Sequence, residues 1–368
     1  MSECHICLLN ESIQGVSLDN SNICNFCREF KKYRFFFDKS ERYKSTKLKK
    51  ISREIRSKTK GEKYNCLIGV SGGIDSSYLV YLAKKMNLRT LLVHFDNGWN
   101  SLIAIKNIYK LSKYTGFTLK TYVIDWDEFR SLQRSYIKSG VIDVEMLTDH
   151  AIGATLIKIA KEENIKFVLS GENFSTENGM PSSWTWQKID KKNIESINKS
   201  YENIKISKFP IINYFNYLIT LFFSKIKFIK ILNEIHYEKY KSIEILKEKV
   251  DFLEYENKHD ESVFTKFYQS YYLPKRFGID KRVAHLSALI RNDEITKEAA
   301  KKLLQKTLDT KELKNEKKFV CEKLGFTLNE MEELVNQPTK HHKDFGSDIR
   351  YLTFLFKIKN ILGIKLFK

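Results

Sequence analysis

The segment that most constrains the fold is a short apolar run, residues 64–70, followed directly by Ser71-Gly72-Gly73-Ile74-Asp75-Ser76-Ser77 and a helical pattern over residues 78–85. This order predicts a buried strand, a glycine turn and a helix. Paired glycines let the backbone approach an anion, and the first turn of a helix offers unpaired N–H donors at the positive end of its dipole. The segment therefore predicts a phosphate-binding loop.

The polar side chains of this loop suit the same ligand. The hydroxyls of Ser71, Ser76 and Ser77 can donate hydrogen bonds to phosphate oxygens, and Asp75 can cap the helix or approach a Mg²⁺ ion. No Lys-Ser/Thr pair follows the glycines, so the loop is not a Walker A motif. It also lacks the third spaced glycine of a dinucleotide-binding fingerprint.

Further apolar runs alternate with amphipathic stretches: the runs are 90–95, 119–124 and 166–169, and the stretches are 101–114 and 147–163. This alternation predicts an α/β fold with a parallel, doubly wound sheet. Ligands of such sheets bind beyond the carboxyl ends of the strands, where we expect Asp96, Asn97, Asp125 and Gly171 beside the phosphate loop. The two carboxylates and Asn97 can contact adenosine, and helix capping is an equally good interpretation of each.

Four of the six cysteines form two Cys-x₂-Cys pairs, Cys4 with Cys7 and Cys24 with Cys27. Two such knuckles can present four thiolates to one tetrahedral ion, and zinc is the expected occupant. With all four positions filled by sulfur, no coordination site is open for a water molecule, so we predict a structural metal site. An iron–sulfur cluster is the alternative.

The net charge of +19 and the isoelectric point of 9.4 would also fit a nucleic-acid-binding zinc protein. The densest basic stretch, residues 28–63, holds 15 Lys/Arg and 5 Asp/Glu, and we interpret it as a solvated helical linker rather than an RNA or membrane contact. The chain opens without a signal-peptide pattern, and its longest apolar run, residues 210–223, is too short to span a bilayer. A cytoplasmic protein is expected.

Residues 71–76 read SGGIDS and resemble the SGGxDS motif of the PP-loop ATP pyrophosphatases, whose fold is of the adenine nucleotide alpha hydrolase type. The resemblance implies cleavage of ATP between its α and β phosphates, after attack by a substrate oxygen on the α-phosphorus. Mg²⁺ is the implied counter-ion.

The chain also resembles the N-acetyl sugar amidotransferases, the WbpG-like and PseA-like proteins of surface-polysaccharide and flagellin-glycan pathways. The resemblance rests on the cysteine knuckles and on residues 93–100, 143–152, 169–177, 258–262 with Thr265, and 272–287. It implies conversion of a sugar acetamido group to an acetamidino group. The implied partners are a separate glutaminase and a cyclase-like subunit that channels ammonia, together with an acetamido sugar or nucleotide-sugar.

The resemblance also implies roles for individual residues. The implied nucleotide contacts are Ser71, Gly72, Gly73, Asp75, Ser76, Ser77, Asp96, Gly171 and Thr176. The implied catalytic residues are Asp75, Lys258, His259, Lys281 and His285. His259 or His285 would accept a proton from ammonium. The implied substrate contacts are Glu261, Ser262, Lys275, Asp280 and Arg282.

The main alternative is a PP-loop tRNA-modifying thiolase or ligase, which would need a sulfur-carrying cysteine near the nucleotide. We interpret Cys66, in the first strand, and Cys321, in a helix, as buried core residues instead. The sequence predicts a zinc-knuckle and basic helical segment at 1–60, an ATP-binding domain at 61–200 and a mainly helical sugar-side domain at 201–368.

Three further segments have bland interpretations. Residues 214–231 and 349–367 combine apolar residues with lysines, so we interpret them as packing helices or a partner interface, with a peripheral membrane contact as the alternative. His341 and His342 lack further metal ligands nearby and are interpreted as an exposed loop pair.

Overall fold

A computed structural model describes residues 2–37, 41–223, 226–255, 260–306 and 311–349. Its centre is a sheet of five parallel strands: β1 (Cys66–Val70), β2 (Thr90–Asp96), β3 (Thr118–Val123), β4 (Phe167–Ser170) and β5 (Lys227–Lys230). Their order across the sheet is β3-β2-β1-β4-β5. The predicted parallel α/β sheet is confirmed, and four of its strands fall on the predicted apolar runs.

Helices surround the sheet. In chain order they are α1 (Asn25–Phe37), α2 (Glu41–Lys58), α3 (Ile74–Lys85), α4 (Leu102–Thr115), α5 (Trp126–Ser139), α6 (Met146–Glu162), α7 (Phe174–Glu177), α8 (Lys191–Ser200), α9 (Tyr214–Phe223), α10 (Lys239–Val250), α11 (Val263–Phe267), α12 (Leu273–Phe277), α13 (Arg282–Arg291), α14 (Lys297–Leu304), α15 (Lys311–Leu324) and α16 (Leu328–Asn336).

Alternate residues of the strands enter two different cores. Cys66 and Ile68 of β1 belong to a core shared with α3 and α10. Leu67, between them, belongs to a core on the opposite face that includes Ile159 of α6. Because successive side chains of a strand point to opposite faces, this alternation shows that the sheet is covered by helices on both sides. The sheet is therefore doubly wound, as predicted.

The fifth strand corrects the interpretation of residues 214–231. That segment is not one amphipathic helix: α9 ends at Phe223, and β5 pairs with β4 in register from Phe167 opposite Lys227 to Ser170 opposite Lys230. Ile229 packs against the sheet core while its neighbours are more exposed, so the period is that of a strand. The sheet thus continues beyond residue 200, the predicted end of the ATP-binding domain.

A third core joins the C-terminal helices to the sheet. It packs Trp99 and Phe129 against Phe264 of α11 and Val320 of α15. Residues 263–277 form one continuous helical run in which Tyr268–Tyr272 is a π-helical turn between α11 and α12. Turns of this kind are common at functional sites.

The basic stretch at 28–63 forms α1 and α2. Ile55 of α2 is fully buried, and Leu48 and Ile51 pack against the core that contains β1. One face of α2 is therefore part of the nucleotide-binding unit, while lysines and arginines occupy its other faces. Within the part of the chain that the structure describes, no helix combines the length and apolarity needed to cross a bilayer.

Candidate active site

The phosphate loop, residues 71–77, joins the end of β1 to the first turn of α3. Gly72 has a left-handed φ of +80°, and a Cβ built on it would lie 2.5 Å from the carbonyl oxygen of Ala104 in α4. Gly171, after β4, makes a similar approach, since a Cβ there would lie 3.1 Å from the backbone nitrogen of Ser76. The loop is thus enclosed by backbone on both sides, at the point between β1 and β4 where such sheets bind ligands.

The serines of the phosphate loop differ in their roles. The Ser77 hydroxyl is fully buried and donates to the Gly73 carbonyl oxygen at 2.6 Å, so it is used inside the loop. Ser71 and Ser76 line the open side of the loop, with their hydroxyl oxygens 3.3 Å apart. No described side chain caps α3 at Gly73, which leaves the first-turn N–H groups available to an anion.

Asp75 is oriented by a tyrosine from a distant part of the chain. The hydroxyl of Tyr237 donates to Asp75 Oδ1, and the Tyr237 side chain is fully buried. Burial, together with the neighbouring Asp75 carboxylate, raises the pKa of Tyr237 well above its ordinary value, so the hydroxyl keeps its proton and remains a donor. Sequence reasoning missed Tyr237, which lies outside every motif.

A cleft of about 240 Å³ opens beside the loop. Its walls come from the phosphate loop, Gly171 and Glu177 on one side, and from residues 239–261 on the other. The lining of the second wall is Lys239, Tyr240, Ile243, Phe252, Glu254, Tyr255 and Glu261. The cleft therefore combines backbone donors, one lysine and three carboxylates besides Asp75, which suits a phosphate ligand accompanied by a cation.

Asn107 of α4 fastens the second wall to the first. Its side chain exchanges two hydrogen bonds with the backbone of Leu253, at 2.8 and 2.9 Å. The Tyr255 hydroxyl then donates to the carbonyl oxygen of Gly72 at 2.9 Å. Asn107 is fully buried. Side chains from two distant segments thus fix the position of the glycine turn.

Glu261 is one predicted substrate residue that the fold brings to the loop. Its Oε1 lies 3.0 Å from the place where a Cβ on Gly73 would stand. Its backbone oxygen accepts a hydrogen bond from Ser101 N at 2.9 Å, and the next residue, Ser262, forms a β-bridge with Asn100. The segment that begins at Glu261 is therefore attached to the mouth of the sheet.

Three other polar residues at the mouth have local structural roles. Asp96 Oδ1 accepts from Gly98 N and from the Asn100 amide, both at 2.9 Å. Asp125 caps α5 and forms an ion pair with Lys208 at 2.7 Å. Thr176, a predicted nucleotide contact, is buried and donates its hydroxyl to Asn173 at 3.0 Å. Helix and turn capping thus accounts for the contacts these residues make.

Comparison with known families bears on the segment that starts at Glu261. Residues 261–359 match the family model described as LPS biosynthesis protein WbpG-like, C-terminal domain. This part of the chain is a WbpG-like domain. The match confirms the resemblance predicted from residues 258–262 and 272–287, and it places the start of the WbpG-like domain against the phosphate loop.

Other similarities are more distant. The chain is 25% identical over 171 residues to the uncharacterized protein MJ1599 of Methanocaldococcus jannaschii, a match that covers 46% of this chain and 58% of the relative. Similar solved structures include the NH3-dependent NAD synthetase from Campylobacter jejuni, with 17% identity, 36% of this chain and 58% of that chain covered, and a TM-score of 0.29. The NMN synthetase from Francisella tularensis has 15% identity, coverages of 51% and 94%, and a TM-score of 0.31. The chain thus spans 58% of the length of the curated relative and of the first structure.

The remaining predicted residues of this region do not line the cleft. The described lining includes Glu261 but not Ser262, Lys275, Asp280, Lys281, Arg282 or His285. Ser262 caps α11 by accepting from Thr265 N at 3.2 Å. Arg282 is paired with Asp280 through its Nε and Nη2 atoms, at 2.7 to 3.0 Å, and Lys275 is exposed. Lys258 and His259 lie outside the described residues.

Lys281 lies in a second polar cluster of the WbpG-like domain, named here the Asp143 cluster: Asp143, Glu145, Asp149, Lys188 and Lys281. Lys188 bridges Asp143 and Asp149 at 2.8 and 2.9 Å, and Lys281 lies 3.9 Å from Glu145 and over the ring of Tyr268. Burial alone would raise the pKa of Asp143, but Lys188 and Lys281 hold it below its ordinary value. His285 is one turn along α13 from Lys281, with its backbone N–H donating to the Lys281 carbonyl.

The four knuckle cysteines come together as predicted. Their sulfur atoms all lie within 4.8 Å of one another, with Cys4 and Cys27 3.8 Å apart and Cys7 and Cys24 3.7 Å apart. Four thiolates around one zinc ion, with Zn–S bonds of about 2.3 Å in a tetrahedron, would be about 3.8 Å apart. Hydrogen bonds from Cys24 and Cys27 lower the pKa of Cys7 to about 7. The geometry and the donor set therefore fit a tetrahedral ion.

The knuckle is docked on the WbpG-like domain rather than hanging from the chain. Leu8 N donates to the hydroxyl of Ser287 in α13 at 3.1 Å, and Lys297 of α14 donates to the Cys4 carbonyl oxygen at 2.6 Å. On its other side, Phe30 of α1 stacks on Phe174, three residues after Gly171, with ring centroids 5.5 Å apart. The knuckle thus links α13 to the loop that packs against α3.

His342 is wrongly interpreted as part of an exposed loop pair. It is 1% exposed, stacks on Trp186, and its ring contacts the side chain of Asn193 at 2.8 Å and the backbone nitrogen of Asp143 at 3.3 Å. Burial lowers its pKa to about 4. Its neighbour His341 is exposed. Packing against a tryptophan more than 150 residues away decided this, and no local pattern could have indicated it.

Proposed function

We propose that the protein is an ATP-dependent amidotransferase that converts the acetamido group of a sugar to an acetamidino group in surface polysaccharide or flagellin glycan biosynthesis. The observation that carries this proposal is the contact between Glu261, the first residue of the WbpG-like domain, and Gly73 of the phosphate loop. A domain of that family thus begins at a site shaped for nucleotide phosphates.

The first step uses the phosphate loop. ATP would place its phosphates against the uncapped start of α3 and the hydroxyls of Ser71 and Ser76, with Gly72 and Gly171 allowing close backbone approach. The amide oxygen of the acetamido group attacks the α-phosphorus, and pyrophosphate leaves with the electron pair of the broken P–O bond. Backbone N–H groups stabilise the charge that accumulates on the leaving group.

The second step forms the new C–N bond. An amide oxygen cannot leave as oxide, but after adenylylation it can leave as part of AMP. Ammonia attacks the imidate carbon, AMP departs with the former amide oxygen, and loss of a proton gives the acetamidino group. A water-excluding cleft favours this order because water would otherwise hydrolyse the adenylylated intermediate.

Mg²⁺ fits the oxygen donors of the cleft. Asp75 is held by Tyr237 at the start of α3, and Glu177, Glu254 and Glu261 line the same space. Carboxylate oxygens together with substrate phosphates are the usual ligands of Mg²⁺ in such sites. The ion would offset the negative charge shared between these carboxylates and the phosphates.

We further propose that a separate glutaminase, acting with a cyclase-like subunit, supplies the ammonia. A glutaminase nucleophile must be an accessible cysteine, and every cysteine of this chain is buried. Burial raises the pKa of Cys66 to about 12 and that of Cys321 to about 11, so neither is a reactive thiolate at neutral pH. The same two facts argue against the alternative tRNA-modifying thiolase.

We propose zinc as the ion of the four-cysteine site, in a structural role. Cys4→Ser should lower the metal content, measured by elemental analysis, from about one zinc per chain toward zero, and it should lower the melting temperature. Cys321→Ser, at a buried cysteine outside the site, is the matched control and should keep the metal. Iron and sulfide in the purified protein would instead support a cluster.

The test of the function is mass spectrometry of products after incubation with ATP, Mg²⁺, ammonium and a panel of acetamido nucleotide-sugars, with Asp75→Ala as the inactive control. We expect AMP together with a sugar product whose mass corresponds to replacement of oxygen by an NH group. AMP release that depends on tRNA and on no sugar would refute the sugar assignment while leaving the nucleotide site intact.

A further inference from the structure

A second cleft lies at the other end of α3, away from the phosphate loop. It has a volume of about 560 Å³ and is bounded by α2, the last turn of α3 and residues 235–242. Its lining holds six Lys or Arg side chains and a single carboxylate, Glu238: the cations are Lys44, Lys49, Arg53, Arg56, Lys85 and Lys241. The one carboxylate is already engaged, at 3.6 Å from Lys241. We name this site the basic cleft.

The cations of α2 are arranged by the helical repeat. Lys44, Leu48, Ser52 and Arg56 recur every four residues, and Lys49 and Arg53 form a second such row beside them. Residues spaced by four lie on one face of a helix, so like charges are close neighbours along this face. Such repulsion is unfavourable for the folded chain unless an anion offsets it.

Cations elsewhere on the same helix are treated differently. Lys47 pairs with Glu234 at 3.3 Å, and Lys58 pairs with Glu54 at 2.5 Å. No carboxylate of the described residues lies within ion-pair distance of Lys49, Arg53 or Arg56. The cleft therefore collects the cations of α2 that the described fold leaves without a carboxylate.

The floor of the basic cleft is ordered and partly apolar. Ser52 donates to the carbonyl oxygen of Met86 at 2.7 Å, which fixes α2 to the C-terminal end of α3. Leu48, Leu82 and Ile235 line the space between the charged side chains. The volume lies within the range of small-molecule sites, and the concave shape suits a compact ligand rather than a flat surface.

We propose that the basic cleft is a binding site for a diphosphate-bearing molecule. Two linked phosphates offer several negative charges and acceptor oxygens over a short span, which matches two arginines and several lysines around one concavity. The diphosphate could belong to a soluble nucleotide or to a lipid carrier, since the recognised chemistry is the same. This site is separate from the proposed catalytic cleft and does not depend on the amidotransferase reaction.

The two clefts share a wall. Lys239, Tyr240 and Ile243 face the catalytic cleft, whereas Glu238, Lys241 and Ser242 line the basic cleft. The binding experiment must therefore keep the catalytic cleft filled. We would saturate the whole protein with a non-hydrolysable ATP analogue and Mg²⁺, and then titrate inorganic pyrophosphate by calorimetry.

The expected result is one further binding event that a double variant, Lys49→Glu with Arg53→Glu, weakens at least tenfold. The matched control is Lys50→Glu with Lys60→Glu, which makes the same change in net charge at exposed positions outside the cleft. Circular dichroism checks that both variants fold. Equal weakening in both, or no binding of pyrophosphate by the unaltered protein, would overturn the proposal.

Two further arms identify the source of the diphosphate. Flotation with vesicles that contain a polyprenyl diphosphate lipid, competed by pyrophosphate and lost in the cleft variant, would assign a lipid carrier. Binding of UDP without vesicle binding would assign a soluble nucleotide. RNA binding that the cleft variant abolishes, with no pyrophosphate binding, would overturn the small-ligand proposal in favour of a nucleic-acid surface.

Discussion

The phosphate loop and the Asp143 cluster both contain residues predicted to act in catalysis, but they are built in opposite ways. The phosphate loop is open, and its binding groups are mainly backbone N–H groups enclosed by close glycine contacts. The Asp143 cluster satisfies its charges internally: Asp143 is 1% exposed and paired with Lys188. One cluster is prepared for an external anion, and the other already contains its own counter-ions.

This difference separates residues that can bind a ligand directly from residues that hold the molecule together. A charged group can serve a substrate only if the fold has not already committed it to a partner. Lys281 and the Asp280–Arg282 pair have such partners, whereas the N-terminal turn of α3 has no side-chain cap. The following predictions test whether this division is correct.

The largest effect is expected in the Asp143 cluster. Asp143→Asn removes a buried charge that faces two lysines, and it should lower the free energy of unfolding by about 3 kcal/mol. Asp149→Asn, which changes a half-exposed partner of the same Lys188, should cost less than about 1 kcal/mol. Urea denaturation measures both values. Equal losses would show that Asp143 is not the structural centre of the cluster.

The phosphate loop should show its effect in activity. Gly72→Ala would force a Cβ against the Ala104 carbonyl, displace the loop, and lower AMP formation roughly 100-fold or more. Gly61→Ala is the control, because Gly61 also has a left-handed φ but no atom within 4 Å of the added Cβ. Steady-state AMP release is the measurement. Similar activity in the two variants would mean that the contact with α4 does not position the loop.

The pH dependence of stability should arise beside the Asp143 cluster. Burial lowers the pKa of His342 and of His150 to about 4, below the ordinary value of 6.5. The unfolded chain therefore binds more protons between these values, so the free energy of unfolding falls as the pH drops through 6.5. Each histidine should account for about 2 kcal/mol of loss between pH 7 and pH 5.

The measurement is urea denaturation at the two pH values. His342→Gln should reduce the loss by the share of one histidine, although it also lowers stability at pH 7. His341→Gln, at the exposed neighbouring residue, should leave the difference unchanged. A pH dependence that is unaltered in His342→Gln would contradict the assignment.

The smallest effect is expected where a side chain only orients the phosphate loop. Tyr237→Phe removes the hydrogen bond to Asp75 and should lower kcat roughly tenfold, with little change in the melting temperature. Tyr109→Phe, at an exposed tyrosine of α4, is the control. A fall in stability without a fall in kcat would place Tyr237 among the packing residues.

Much of the nucleotide site was predictable because its determinants are consecutive in the chain. A strand, two glycines and a helix start form the loop through local geometry, and β1 to β4 followed from apolar runs of the right length. β5 was missed because its four residues, Lys-Phe-Ile-Lys, carry too short a pattern and directly follow a helix. Its strand conformation depends on pairing with β4.

The sequence by itself determined the phosphate loop, the alternation of strands and helices, and the set of cysteines that meet in one cluster, since each depends on spacing along the chain. Only the tertiary structure decided that Tyr237 holds Asp75, that Glu261 reaches the loop, and that Lys281 and His342 are buried among partners. Those contacts join segments more than 100 residues apart in the chain, and side-chain pairing at that separation leaves no local pattern to detect.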